Sequence, residues 1–403
     1  MNPASPLTVL CIASYEKGQE FMRQCKRNGC RTILLTSQSL QHADWPRESL
    51  DEIYLIPDKD KEWDMNSAIN GVSYLARTIQ FDRIVPLDDF DVEKAAALRE
   101  HLRVPGMGDT TARYFRDKLA MRMRAKEAGI PVPRFCGVIN HDRLNQFLQS
   151  VPPPYVLKPR SSAGAIGIKK CQSTEELWNL LNALGDKQSF YLVEEFIVGD
   201  ILHADTITEN SKLLFSITSR YGSPPMEVAH EGRVFSTRTL PSNDAASKAV
   251  KELNKSVLKA FGMVRGVSHS EFIQGEDGTL YFLETSARVA GAHIAEMLEA
   301  ATGFNLWAEW ANLETATEQN PYVVPQVRKD YAGMLTCLAH IKKPDLRSYD
   351  APEVTWKLKR AHHAGIVLRS PKYDRITELM EQYTRRFYDE FFTSLPPRET
   401  AAY

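Results

Sequence analysis

A chain of 403 residues, 43% apolar and 25% charged, has the composition of an ordinary globular protein and the length for two or three domains. Its formal net charge of −1 gives no global attraction to nucleic acid or to an anionic membrane surface. Cys11, Cys25, Cys30, Cys136, Cys171 and Cys337 are scattered, with no C-x-x-C and no histidine at metal spacing, so reduced thiols in a cytoplasmic protein are expected. The first apolar run, Leu7 to Ala13, lacks an upstream basic region and is too short for a secretion signal or a membrane span. It reads as the first strand.

From there the first hundred or so residues alternate strand and helix. Residues 7–13, 31–36 and 82–87 read as strands, and 16–29, 64–79 and 90–102 as helices, which favours a doubly wound parallel sheet. The first strand runs into SYEKG and not into G-x-G-x-x-G, so this part carries no dinucleotide fingerprint and reads as scaffold. A helix is expected from about Thr111 to Ala128, stopped by Gly129 and Pro131, with Ala112, Phe115, Leu119 and Met123 as its apolar stripe and Lys118 at the border.

After the proline run at 152–154 the pattern becomes α+β. Helices are expected near 173–184, 244–261 and 292–301, then strands from about Pro321 and a last helix at 371–392. The block 155–170 reads as a strand holding Lys158, then a loop with Ser161, Ser162, Gly164 and Gly167, whose backbone N–H groups suit phosphate. Residues 190–200 form an apolar strand ending in Glu194-Glu195-Phe196-Ile197, followed by Gly199.

The most informative stretch is 268–288, SHSEFIQGEDGTLYFLETSAR. Asp277-Gly278 signals a two-residue hairpin turn, and counting outward from it sets Glu271 directly opposite Glu284. Two carboxylates opposed across a strand pair repel, so a bound cation or a shared proton is required, and the stretch reads as a divalent-metal site with a cation beside it. Period 2 puts His269, Ser286 and Arg288 on the same face.

In order and spacing these segments resemble the ATP-grasp superfamily over about 116–300. The resemblance implies an ATP-grasp fold preceded by the doubly wound parallel-sheet domain. It divides the chain into an N-terminal domain (1–110), an ATP-grasp domain (111–310, with a lid at about 134–200) and a C-terminal α+β block (311–403) completing the module. RDKLAMRMRAKEAGIPVP looks like the helix carrying the first ATP-phosphate lysine, Lys118. YVLKPRSSAGAIGI looks like the second, Lys158, with the loop that folds over the triphosphate. EEFI looks like the adenine hinge, Glu194 and Glu195 near the exocyclic amine and the Ile197 backbone against the ring. By the same resemblance Glu271, Glu284 and Ser286 hold Mg²⁺, with Mn²⁺ as a substitute, and Arg288 steadies the transferring phosphoryl group. Ser286 stands where the family has Asn. The family's ribose-binding acid falls at an offset that here gives His203, with Asp200 or Asp205 as substitutes.

The chemistry implied is activation of a small-molecule carboxylate as an acyl phosphate and its condensation with an amine, amino acids being candidates for both, with release of ADP and phosphate. A homodimer is the family-level expectation, and neither nucleic acid nor membrane is an expected partner. An ATP-grasp carboxylase, a small-molecule kinase and a non-catalytic nucleotide sensor are the alternatives. His269 reads either as part of the site or as a partner for Ser286. Arg220, Tyr221 and Arg238 read as flanking or lying in a covering loop, Trp307 and Trp310 as packing residues, and His362-His363 as exposed.

Overall fold

The computed structural model of the protein describes residues 6–395. Strands β1 (Thr8–Ala13), β2 (Arg31–Ser37) and β3 (Glu52–Ile56) are followed by a small hairpin, β4 (Asp58–Lys59) and β5 (Glu62–Trp63), and by β6 (Arg83–Pro86). The first three and β6 form a parallel sheet in the order β3-β2-β1-β6. β1 is buried on both faces, as a parallel strand covered by helices must be. Val9, Cys11 and Ala13 join one core with the helix Gln19–Arg27, and Leu10 and Ile12 join the other with the helices Met65–Leu75 and Val92–Leu102. The strand order reverses between β1 and β6, the switch point where doubly wound sheets open a crevice at the carboxyl ends of their strands.

The helix expected over 111–128 is two helices, Asp109–Arg113 and Lys118–Glu127. The break arises because the Asp117 carboxylate accepts hydrogen bonds from the Leu119 and Ala120 N–H groups (2.9 and 3.3 Å), starting a fresh helix with Lys118 as its first residue.

β7 (Phe135–Gly137), β8 (Tyr155–Pro159), β9 (Lys169–Cys171) and β10 (Tyr191–Glu195) make a second, antiparallel sheet ordered β7-β10-β8-β9, backed by the helices His141–Ser150 and Thr174–Leu184. The third sheet has eight antiparallel strands: β11 (Gly199–Glu209), β12 (Lys212–Tyr221), β13 (Phe235–Thr239), β14 (Gly266–Gly275), β15 (Leu280–Ser286), β16 (Tyr331–Leu338), β17 (Val354–Lys357) and β18 (His363–Ser370). Their order is β15-β14-β11-β12-β13-β16-β18-β17, so the strands after 330 continue the same sheet through the β13–β16 pairing. The helix Tyr373–Glu390 packs on β16 and β18, burying Ile376, Leu379, Met380, Tyr383 and Phe387.

Arg220, Tyr221 and Arg238 flank the expected covering loop from a strand pair, β12 and β13, and Pro224, Pro225, Met226 and Glu227 of the segment between them line the cleft described below. Arg220 faces Arg238 and Tyr221 faces Thr237, because the run 235–239 alternates and pairs with β16 on its other edge. Among the described residues no helix is long and apolar enough to cross a membrane. All six cysteines are free thiols.

Candidate active site

The β14–β15 hairpin has Glu271 directly opposite Glu284, by a route that differs from the expected one. The turn has three residues, Glu276, Asp277 and Gly278, closed by hydrogen bonds from the Gly278 N–H to the Gly275 carbonyl and from the Gly275 N–H to the Thr279 carbonyl, both 2.9 Å. Only Gly278 has positive φ (82°), so this is the turn-plus-αL loop and not the two-residue type I′ turn. The longer turn shifts the pairing by one residue, giving Phe272 opposite Phe282. A bulge at Leu283 shifts it back, and His269, Ser270 and Glu271 face Ser286, Thr285 and Glu284.

Two lysines open on the same cleft as these carboxylates. Lys118 Nζ lies 2.9 Å from Glu284 Oε2 and donates to the Ser162 carbonyl at 2.6 Å. Its position is fixed locally: the Lys118 N–H donates to the Arg160 carbonyl at 2.8 Å, and the Arg160 guanidinium forks onto Asp117. Lys158 on β8 is ion-paired with Glu194 on β10, a diagonal neighbour, since Lys158 faces Leu192 and Glu194 faces Val156.

Glu194 is held from its other side by Arg122, fully buried one helical turn beyond Lys118, with Nε 2.6 Å from Oε1 and Nη2 donating to Oε2 at 3.3 Å. Arg122 Nη1 also donates to the carbonyl of the bulge residue Leu283. Burial pushes the Glu194 carboxyl up, but Arg122 and Lys158 outweigh it and hold the group below its ordinary range. For Lys158 burial wins over the pull of Glu194 and lowers its pKa. Sequence reasoning missed Arg122, although its i, i+4 spacing from Lys118 puts both on one helix face.

The hinge acids part company, because neighbours along a strand face opposite ways. Glu194 points to the lysines. Glu195 accepts from the Arg134 N–H (2.7 Å) and guanidinium (2.5 Å), and Phe196, Ile197 and Val198 continue along the cleft. Ser162 and Gly164 line the cleft, and Gly164 (φ 66°) and Gly167 (φ 70°) make the loop's left-handed turns; Ser161 is exposed and gives its carbonyl to Arg116 at 2.7 Å.

The N-terminal domain is more than scaffold. Asp88 and Asp89 follow β6 at the switch point and reach the same cleft, with Tyr15, Glu16 and Lys17 following β1. Asp89 is ion-paired with Arg116 and lies 3.9 Å from Arg288 Nε. Burial raises its pKa, yet Arg116, Arg288 and the Ser286 hydroxyl more than offset this and bring it to about 2. Ser286 therefore serves Asp89, and the Arg288 Nη1 donates to the Val289 carbonyl at 3.0 Å. The strand order carried the signal for Asp89; a missing glycine motif hid it.

His203 is a correction. It stands on the expected face, opposite Glu271, but is fully buried beneath the Tyr221 ring (centroids 4.7 Å apart) and has both ring nitrogens engaged, so no ribose reaches it. Asp205 is equally buried between His203 and His269, and Asp200 is turned out to Arg220 (3.2 Å). His269 does not bond Ser286. Its Nδ1 lies 2.9 Å from Asp205 and its Nε2 3.5 Å from Glu271. Burial lowers His269, but Asp205 and Glu271 prevail and raise it to about 9. Burial likewise raises Glu271, while His269 and the Tyr221 hydroxyl, donating at 2.8 Å, bring it below its ordinary value.

Lys118, Lys158, Glu194, Asp89, His269, Glu271, Glu284 and Arg288 open on one cleft of about 1050 Å³ between the three sheets. Apolar walls from Met121, Val156, Ile168, Ile197, Ile273 and Leu283 surround the hinge, and His293, Trp307, Arg360 and His363 lie among its other lining residues. His363 is half-buried and faces the cleft, while Trp310 packs in the core and Trp307 does both. Ala292 (φ 53°) and His293 (φ 64°) hold a left-handed turn just before the helix Ile294–Thr302, a strained stretch of the cleft wall beside Arg288.

Residues 115–292 match the model of the ATP-grasp domain. The chain carries an ATP-grasp domain. It is 27% identical over 281 residues to an L-arginine-specific L-amino acid ligase of Bacillus subtilis, covering 68% of this chain and 67% of that one. A D-alanine–D-alanine ligase of Pelotomaculum thermopropionicum is 24% identical over 231 residues, covering 50% and 72%. Among solved structures an L-amino acid ligase from Bacillus licheniformis superposes with a TM-score of 0.75 at 18% identity, over 96% of this chain and 99% of that one, which establishes the shared fold. Both of these curated relatives are named as ligases.

Proposed function

We propose that this ATP-grasp ligase joins the carboxylate of one amino acid to the amine of a second, with ATP converted to ADP and phosphate. The observation that carries the reading is the convergence of Glu271, Glu284, Lys118, Lys158 and Arg288 on a single cleft large enough for a nucleotide and two small substrates. The amino-acid class is supported by the likeness to an L-amino acid ligase.

Mg²⁺, or Mn²⁺ in its place, suits the donor set. Two directly opposed carboxylates are hard oxygen ligands, and their side-chain partners engage one oxygen of each, Tyr221 and His269 on Glu271 Oε1 and Lys118 on Glu284 Oε2. When bound there, the ion supplies charge neutralisation for the triphosphate. Glu271 and Glu284 are its proposed ligands; Ser286, tied to Asp89, orients Arg288 through that carboxylate.

The adenine lies in the apolar pocket against the Ile197 backbone. Lys118 and Lys158 pair with phosphate oxygens, exchanging Glu284 and part of Glu194 for them. A substrate carboxylate oxygen attacks the γ-phosphorus and the bond to the ADP oxygen breaks, giving an acyl phosphate. Arg288, set by Asp89, stabilises the charge on the transferring group. The amine then attacks the acyl carbon, phosphate leaves, and the amine proton is released. Closure of the 160–168 loop keeps water from the acyl phosphate.

Incubation with ATP, Mg²⁺ and pooled amino acids, followed by ADP and phosphate assays and mass spectrometry, tests the reading. A condensed product lacking one water supports it. A stable phosphorylated product indicates a kinase, bicarbonate-dependent turnover a carboxylase, and nucleotide binding without turnover a sensor.

A further inference from the structure

Behind Glu271 lies a buried polar chain that the proposed reaction does not use. Three adjacent strands, β11, β14 and β15, set six residues in two rows on one face of the sheet: His203–Glu271–Glu284 and Asp205–His269–Ser286. The first row ends in the proposed cation ligands. The second puts Asp205 next to His269. Asp205, fully buried, spends both carboxylate oxygens on imidazoles: Oδ1 is 2.9 Å from His269 Nδ1 and Oδ2 is 2.9 Å from His203 Nδ1. Since an ionised carboxylate only accepts, both Nδ1 atoms carry hydrogen and each ring is fixed in orientation. His203 is further pinned by Thr237 Oγ1, 2.8 Å from its Nε2. The remaining nitrogen, His269 Nε2, faces Glu271 Oε1 at 3.5 Å and the Tyr221 hydroxyl at 3.4 Å, and that hydroxyl donates to the same Oε1 at 2.8 Å.

We infer that Asp205 and His269 are positioning residues for the proposed cation site, acting through Tyr221 and Glu271. The inference rests on the reading of Glu271 as a ligand. Every contact converges on one oxygen, Oε1, and leaves Oε2 for the ion, so Glu271 binds through a single oxygen. A side chain at half-buried depth otherwise loses rotamer freedom only when the ion arrives. The chain Thr237–His203–Asp205–His269 supplies that order beforehand. Outer partners of ligating carboxylates are worth roughly 10–100-fold in metal affinity or activity.

The test uses the full chain with ADP and Mn²⁺, the affinity read by electron paramagnetic resonance, beside ATP KM and thermal melting. Asp205→Asn is expected to weaken Mn²⁺ binding about tenfold or more and raise the Mg²⁺ concentration for half-maximal turnover, with ATP KM at saturating Mg²⁺ within about threefold of the parent. Because a buried Asp205→Asn chain can fail to fold, His269→Ala and His269→Gln are measured with it. Gln keeps a donor near the Nε2 position and is expected to restore most of the Mn²⁺ affinity that Ala loses. Unchanged Mn²⁺ affinity in folded Asp205→Asn or His269→Ala overturns the inference, as does equal loss in His269→Gln and His269→Ala. A transition metal that copurifies with the parent and vanishes in Asp205→Asn also overturns it, since the three side chains would then be ligands themselves. Glu271→Gln separates the two levels: if that variant binds Mn²⁺ normally, the cation site itself is wrong.

Discussion

Arg122→Met is the most discriminating single change, because nothing about its role depends on a bound ligand. The guanidinium is fully buried and serves Glu194 through Nε (2.6 Å) and Nη2 (3.3 Å) and the Leu283 carbonyl through Nη1. Removing one partner of a buried pair costs about 3–5 kcal/mol. Lys158 stays on Glu194, which puts this cost near the low end, about 3 kcal/mol. The stranded Leu283 carbonyl adds about 1–3 kcal/mol. The expected loss is thus about 4–6 kcal/mol in the opening free energy of this region. Glu194→Leu should cost a similar amount by leaving two cations unmatched, and the double variant should fall short of the sum by about 2 kcal/mol. Native-state hydrogen exchange at the β8 and β10 amides reads these energies locally, without assuming that so long a chain unfolds in one step. A loss under about 1 kcal/mol in Arg122→Met, or single losses that add to within about 0.5 kcal/mol, would refute the clamp.

Glu284→Gln should cut ligase turnover about a hundredfold or more, the scale for removing one charge-stabilising group, while melting shifts little because the opposed carboxylates no longer repel; near-parental turnover measured at saturating Mg²⁺ removes Glu284 from the cation site. Asp89, at about 2 against an ordinary 3.8, contributes about 2 kcal/mol of stability that is present above pH ~4 and lost as pH falls through 3.8 to 2. The stability gap between the parent and Asp89→Asn, followed by urea titration, should therefore narrow by about that amount over this acid window. Gly199→Ala should cost about 1–3 kcal/mol, since its Cβ would stand 2.0 Å from the Gln274 carbonyl oxygen of the paired strand, where only backbone could yield; a melting temperature equal to the parent's contradicts that contact.

Much of the site was legible in the sequence, though unevenly. Lys118, Lys158 and Glu194 each announced themselves by a charge at a strand or helix end, and the structure brings all three to one cleft. Asp89 and Arg122 did not, because their meaning lies in strand order and in packing against segments 199 and 72 residues away. His203 misled because residue counting finds the right face of a strand but not what covers it, here Tyr221. The hairpin is the sharpest case. The expected pairing of Glu271 with Glu284 occurs, yet two departures from regularity cancel to produce it, a turn one residue longer than foreseen and a bulge at Leu283.

That cancellation makes the hairpin a two-part lock. Lengthening or shortening the 276–278 turn alone, or losing Leu283 alone, slides one carboxylate to the opposite side of the sheet and swings its neighbours with it. Only changes made at both places together keep the two acids abreast. Anyone exchanging this segment with a relative's must therefore move turn and bulge as one unit, and variation in loop length here should come only in matched pairs.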